Sequence, residues 1–188
     1  MQGVGRHMSQ LTKKALAQTL KHLMEKSTLD RITVKDVAIE CGVNRQTFYY
    51  HFKDIYDLVE WIFLTEAIEQ ISDYKSYDTW QQGFLIIFDY VKGNLNFCSN
   101  CFNSLGREPL DRFLYIAVFK LLNGVVDEVA EDATVNEKER TFIANFYSYA
   151  FIGIMTQWIR EGAIEDPQKI IADVNHLIQG DIRKALDK

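Results

Sequence analysis

The stretch VNRQTFYYHFKD, residues 43 to 54, sets four aromatic rings among Arg45, His51 and Lys53. Projected on a helix, Phe48 and Phe52 fall within about 40° of each other, while Arg45, Gln46, Tyr49, Tyr50 and Lys53 share a separate arc of about 140°. The phenylalanines therefore read as core anchors and the second arc as an outward stripe. Tyrosines at such positions often do no more than cover neighbouring helices. The residues beside them argue for more. Arg and Gln present paired donors and acceptors to base edges, Arg favouring guanine and Gln adenine. Tyr hydroxyls and Lys suit phosphate oxygens. His51 falls off the stripe, and the projection leaves its role open.

Working outward from this stretch, Asn44 suits the cap of the helix that carries it. Upstream, TVKD predicts a capping box in which Thr33 caps a short helix and Asp36 reaches back, with Val34, Val37 and Ala38 facing inward. ECG ends that helix, and Gly42 fits a turn that needs positive φ. A first helix is predicted from about Ser9 to Lys26, its apolar face formed by Leu11, Ala15, Leu16, Leu20, Leu23 and Met24. Three helices result, the last two joined by a short Gly-containing turn, which is the helix-turn-helix pattern. GRHM at residues 5 to 8 resembles a cloning remnant, so residues 1–7 are set aside and the natural chain is expected to begin at Met8.

Net charge is −5 over 188 residues, which taken whole argues against a nucleic-acid partner. Its distribution reverses the inference. Residues 8–53 hold eight Lys and Arg against four Asp and Glu, whereas from Asp54 onward twelve basic residues face twenty-two acidic ones. A basic head sits on an acidic body. The expected division is a helix-turn-helix DNA-binding domain over 8–53 and a helical ligand- or partner-binding and dimerisation domain over 54–188.

Two prolines and ten glycines leave long stretches without helix breakers, so the fold class expected is all-α with about nine helices. A long helix is predicted from Asp54 to about residue 74. Others are predicted over 78–93 with Asp78 as cap, over 109–132, over 136–161, and from Pro167 nearly to the end. NLNFCSNCFNSLGRE, residues 94–108, reads as an irregular connection.

ITVKDVAIECGVNRQTFYYHFKDIYDLVEWIF, residues 32–63, strongly resembles the DNA-binding region of the TetR family of transcriptional regulators. The resemblance covers about residues 9–64, and its TFYYHFKD core is highly specific. It implies that the helix bearing the motif enters the major groove of a double-stranded operator. Thr33 would then meet phosphate, Arg45 and Gln46 base edges, Tyr49 bases or backbone, and Tyr50, His51 and Lys53 phosphate. Asn44 and Thr47 complete the set of candidate DNA-binding residues at the start of that helix. FYSYAFIGIMTQWIREGAIEDP, residues 146–167, resembles the C-terminal region of the TetR branch that includes the dihydroxyacetone-kinase activator. In that branch a regulator can work with a kinase-like protein that senses the metabolite. The resemblance further implies a homodimer built from the last two helices, over about 136–161 and 167–186, reading a palindrome from the cytoplasm. Phe146, Ala150, Gly153 and Trp158 are the candidate dimer-interface residues. Trp80, Phe84, Phe88, Phe102, Phe113 and Phe119 are candidates for an effector pocket, although aromatics at helical spacing more often form plain core.

Other classes find little support. Cys98 and Cys101 form a CxxC, but a zinc site needs about four ligands and no second pair follows. Three cysteines point to reduced thiols. No metal and no cofactor is expected. The chain has no Gly-rich phosphate loop, GxSxG or HExxH, so an enzyme is not expected. No apolar run reaches the roughly 18 residues of a membrane span. The remaining alternative is a helical protein-interaction module whose head does not bind an operator.

Overall fold

Long runs free of proline fold as predicted into helices. The computed structural model describes residues 2–71, 74, 76, 79–129 and 136–178. Among these lie nine α-helices: α1 (Gln2–Met24), α2 (Val34–Glu40), α3 (Arg45–His51), α4 (Ile55–Glu66), α5 (Trp80–Gly93), α6 (Leu95–Asn103), α7 (Glu108–Val129), α8 (Glu137–Arg160) and α9 (Pro167–Ile178). Single 3-10 turns stand at Leu29–Arg31 and Ile68–Ile71. Among the described residues no helix is long and apolar enough to cross a membrane. The chain divides into two compact units, one comprising residues 1–65 and 96–110, the other residues 66–95 and 111–188.

In the first unit α1 packs against α2 and α3. Its core is Leu16, Leu20, Val37, Ala38, Phe48, Phe52, Leu58, Ile62 and Phe63, all buried. The turn between α2 and α3 closes as the sequence predicts. Gly42 takes φ +71, its N–H donates to the Ile39 carbonyl, and the Val43 N–H donates to the Ala38 carbonyl. That reciprocal pair satisfies carbonyls the helix end would otherwise leave open. A Cβ at Gly42 would meet no atom, so φ alone demands glycine there.

The second unit is held by aromatic packing. Phe84 stacks on Phe151 at 4.0 Å, Trp80 lies edge-on to both, and Phe88 meets Trp158 edge-on at 4.9 Å. A Cβ on Gly83 would lie 2.6 Å from a Leu121 methyl, so α5 and α7 approach closely there.

Several boundaries differ from the sequence reading. α1 begins at Gln2, upstream of Ser9. The fourth helix ends at Glu66 and gives way to the 3-10 turn instead of running to residue 74. Thr79 occupies the cap position of α5; the cap assigned to Asp78 lies outside the described residues, as do 130–132 and 179–186 of the predicted last helices. The largest correction is α6. Residues 95–103 are helical because Phe97, Cys98, Cys101 and Phe102 recur on one face and are all buried. Their burial overrides the weak helix propensity of Asn96, Ser99, Asn100 and Asn103.

Candidate nucleic-acid interface

Local chemistry fixes α3 in place before any ligand arrives. The Asn44 side chain accepts from the Thr47 N–H at 2.7 Å and from the Thr47 hydroxyl at 3.0 Å. Both residues therefore build the cap in the unbound protein. At α2 the capping box is complete: the Thr33 N–H donates to the Asp36 carboxylate at 2.9 Å and the Thr33 hydroxyl donates to it at 2.6 Å, while the Asp36 N–H donates back to that hydroxyl. The Thr33 hydroxyl is thus engaged within the protein both as donor and as acceptor. These bonds lower the Asp36 carboxyl pKa from its ordinary value. Past α3, the Asp57 carboxylate accepts from the Lys53 N–H at 2.8 Å, and Asp54 accepts from the Asp57 N–H at 2.9 Å, starting α4.

On this frame the helix faces separate as the projection requires. Phe48 is fully buried and Phe52 nearly so, whereas Tyr49 is 58% and Tyr50 82% exposed. Arg45, Gln46 and Lys53 are exposed beside them. Tyr49 rests edge-on against Phe48 at 5.8 Å, so a buried ring braces an exposed one.

His51 is half-buried, with the Tyr50 ring edge-on at 4.9 Å. Burial first, and the Lys13 charge second, push its pKa below the ordinary histidine value. The imidazole is therefore neutral at pH 7. A phosphate meeting the ring would favour its charged form, so a duplex held through His51 would take up a proton. Affinity for DNA is expected to rise as the pH falls below about 7, and His51→Gln to flatten that dependence, measured by titrating a labelled duplex at constant ionic strength.

The other predicted sites divide. Trp80, Phe84, Phe88 and Phe113 are buried and touch other rings within their own unit, the contacts of a packed core. Phe119 is half-buried and stacks on Tyr115. Phe102 belongs to the first unit, with the Arg107 guanidinium 5.2 Å above its ring. On α8, Phe146 is 62% exposed, and Ala150 and Gly153 are exposed on the same side together with Phe142 and Tyr149. Trp158 differs from them. Its ring is buried against Phe88, and its Nε1 donates to the Glu165 carbonyl at 2.9 Å. A groove of about 520 Å³ runs between α8 and α9, lined by Ala150, Gly153, Ile154, Ile170 and Val174 among others.

Cys41, Cys98 and Cys101 carry reduced thiols. Burial and the neighbouring Cys98 raise the Cys101 pKa far out of the reactive range. Among the described residues no His, Cys, Asp and Glu gather into a group that could hold a metal.

Sequence reasoning missed a polar seam in the first unit. Asn100 of α6 accepts from the Leu29 N–H at 2.8 Å and donates to the carbonyls of Met24 at 3.0 Å and Ser27 at 2.8 Å. Asp30 accepts from the Ser104 hydroxyl and the Leu105 N–H. These pairs are more than 70 residues apart, and no local pattern announces them.

The exposed Arg45, Gln46, Tyr49 and Lys53 thus stand together on the second helix of a helix-turn-helix. Residues 18–62 match the family described as bacterial regulatory proteins, tetR family, and residues 78–180 match the transcriptional regulator C-terminal region. The chain belongs to the tetR family of bacterial regulatory proteins. It is a DNA-binding transcriptional regulator and not an enzyme. Among curated proteins it is similar to the HTH-type dhaKLM operon transcriptional activator DhaS of Lactococcus lactis, with 27% identity over 175 residues covering 92% of this chain and 91% of that one. Among solved structures it resembles the dihydroxyacetone kinase operon activator DhaS, with TM-score 0.71 and 26% identity over 94% of this chain and 98% of that one. NalD, the secondary repressor of the MexAB-OprM multidrug efflux pump in Pseudomonas aeruginosa, shares the fold at 15% identity and TM-score 0.60, covering 97% of this chain and 98% of that one.

Proposed function

We propose that the protein is a cytoplasmic homodimer that places one α3 in each half of a palindromic operator and changes its operator affinity in response to a signal received by the C-terminal region. The observation that carries the reading is the division of α3 into a buried Phe48–Phe52 face and an exposed Arg45–Gln46–Tyr49–Tyr50–Lys53 face. Arg45 and Gln46 read base edges. Tyr50, His51 and Lys53 hold phosphates, and Tyr49 meets bases or backbone. One short helix reads only a few base pairs, so a twofold pair is needed for a selective site. The exposed face of Phe142, Phe146, Tyr149, Ala150 and Gly153 supports α8 and α9 as the dimer contact. Small residues there let a second helix approach closely.

The likeness to DhaS, an operon activator, supports a metabolic signal delivered by a small molecule or by an effector-sensing protein. Either would act by population shift, favouring one spacing of the two α3 helices over another. A salt titration tests the DNA reading. Operator affinity is expected to fall steeply from about 50 to 200 mM salt, and Lys53→Ala to weaken every duplex alike while lowering the slope by about one. Equal binding of the wild type to all duplexes would refute it.

A further inference from the structure

Lys13 lies on α1, outside the helix-turn-helix stripe, and its ammonium has an unusual seat. It stands 5.4 Å from the centre of the Phe52 ring and 5.8 Å from that of Trp61. Phe52 caps the C-terminal end of α3, and Trp61 lies 5.8 Å from it on α4. Lys13 therefore reaches from the first helix to the junction of α3 and α4. Ring faces attract a cation without neutralising it. Among the described residues no carboxylate pairs with Lys13, which remains half-exposed. The Phe52 ring on which it sits also lies 6.3 Å from the ring of His51, a residue that the helical projection leaves off the stripe.

A cation held on an apolar platform that also borders His51, at the end of a groove-reading helix, is placed for an anion. The major groove is about 12 Å wide and bounded by two phosphate rows. We infer that Lys13 is a DNA-backbone contact supplied by α1, forming with His51 a phosphate station separate from the Lys53 side of α3. The station carries no sequence information and adds to affinity and register only. It rests on the operator-binding reading above and extends it to a residue outside the motif.

The test uses the 188-residue chain and three variants, Lys13→Met, Lys13→Arg and Lys53→Ala, titrated against an operator selected by the wild type from random duplex DNA and a scrambled duplex between about 50 and 200 mM salt. Methionine keeps an unbranched stem on the rings and removes the charge. Lys13→Met is expected to weaken both duplexes by the same factor, about three- to tenfold at the low-salt end, and to reduce the slope of log affinity against log salt by about 0.9. Lys13→Arg is expected to keep the wild-type slope. A Lys13→Met slope equal to wild type overturns the inference, with or without a fall in affinity, because a purely structural lysine changes folding and not counterion release. If Lys53→Ala still lowers the slope in that case, the operator-binding reading stands without Lys13. If the wild type does not prefer the operator to the scrambled duplex, that reading falls instead.

Discussion

Phe48→Ala is expected to destabilise the first unit by about 3–5 kcal/mol, whereas Tyr49→Ala, one residue on, is expected to cost less than about 1 kcal/mol. The difference follows from orientation. Phe48 is fully buried on a helix that packs against α1 and α2, so truncation removes a whole ring from water-free surroundings and leaves a cavity. Tyr49 loses only its edge contact with Phe48. Against a typical total stability of about 5–15 kcal/mol, the Phe48 change alone threatens the head. Denaturant unfolding, read together with hydrogen exchange of the α1–α4 amides, separates the two variants. The DNA measurement should invert the order among variants that remain folded, since Tyr49→Ala keeps the scaffold and loses part of the reading face. Equal destabilisation by both substitutions would mean that α3 is turned differently from the arrangement described.

Asn100→Ala is expected to be the most damaging polar substitution, at about 2–3 kcal/mol. One carboxamide satisfies the N–H of Leu29 and the carbonyls of Met24 and Ser27, which are backbone groups at the end of α1 and the start of the following turn. Removing it strands all three, and partial exposure keeps the cost from adding fully. Asn100→Asp sharpens the test. The carboxylate can still accept from Leu29 but cannot donate to either carbonyl, so at neutral pH it is expected to be no better than alanine. Thermal unfolding of the three proteins side by side gives the comparison. A wild-type midpoint for Asn100→Asp would show that the two carbonyl contacts contribute nothing.

The contrast between these two residues shows what the sequence carried. Phe48 was legible because helical periodicity is local: Phe48 and Phe52 four residues apart must share a face, whatever they pack against. The capping box at Thr33 and Asp36, the positive φ of Gly42 and the Asn44 cap are likewise local chemistry, and each formed as written. Asn100 was not legible, because its partners lie more than 70 residues away and its own segment looked like loop. A signal for α6 was nevertheless present in the spacing of Phe97, Cys98, Cys101 and Phe102, which fits a helical face. The density of Asn and Ser masked it. Trp158 illustrates the same limit on α8. The family resemblance grouped it with Phe146, Ala150 and Gly153, but a residue's face is decided by what packs against it, and here Phe88 and the Glu165 carbonyl draw the indole inward. The aromatic residues of α5 and α7 gave no better guidance. Periodicity shows that such rings face a common interior, and only packing shows whether that interior is filled.

Selection of bound fragments from random duplex DNA shows whether the Arg45 side of α3 meets base edges. Wild type and Arg45→Ala are selected in parallel from one pool. The wild type is expected to return an inverted repeat whose half-sites lie about one helical turn apart or somewhat more. Arg45→Ala is expected to return the same repeat with preference weakened by about 1–3 kcal/mol at one base step in each half. An identical consensus from both proteins, or none from the wild type, would mean that Arg45 does not read bases.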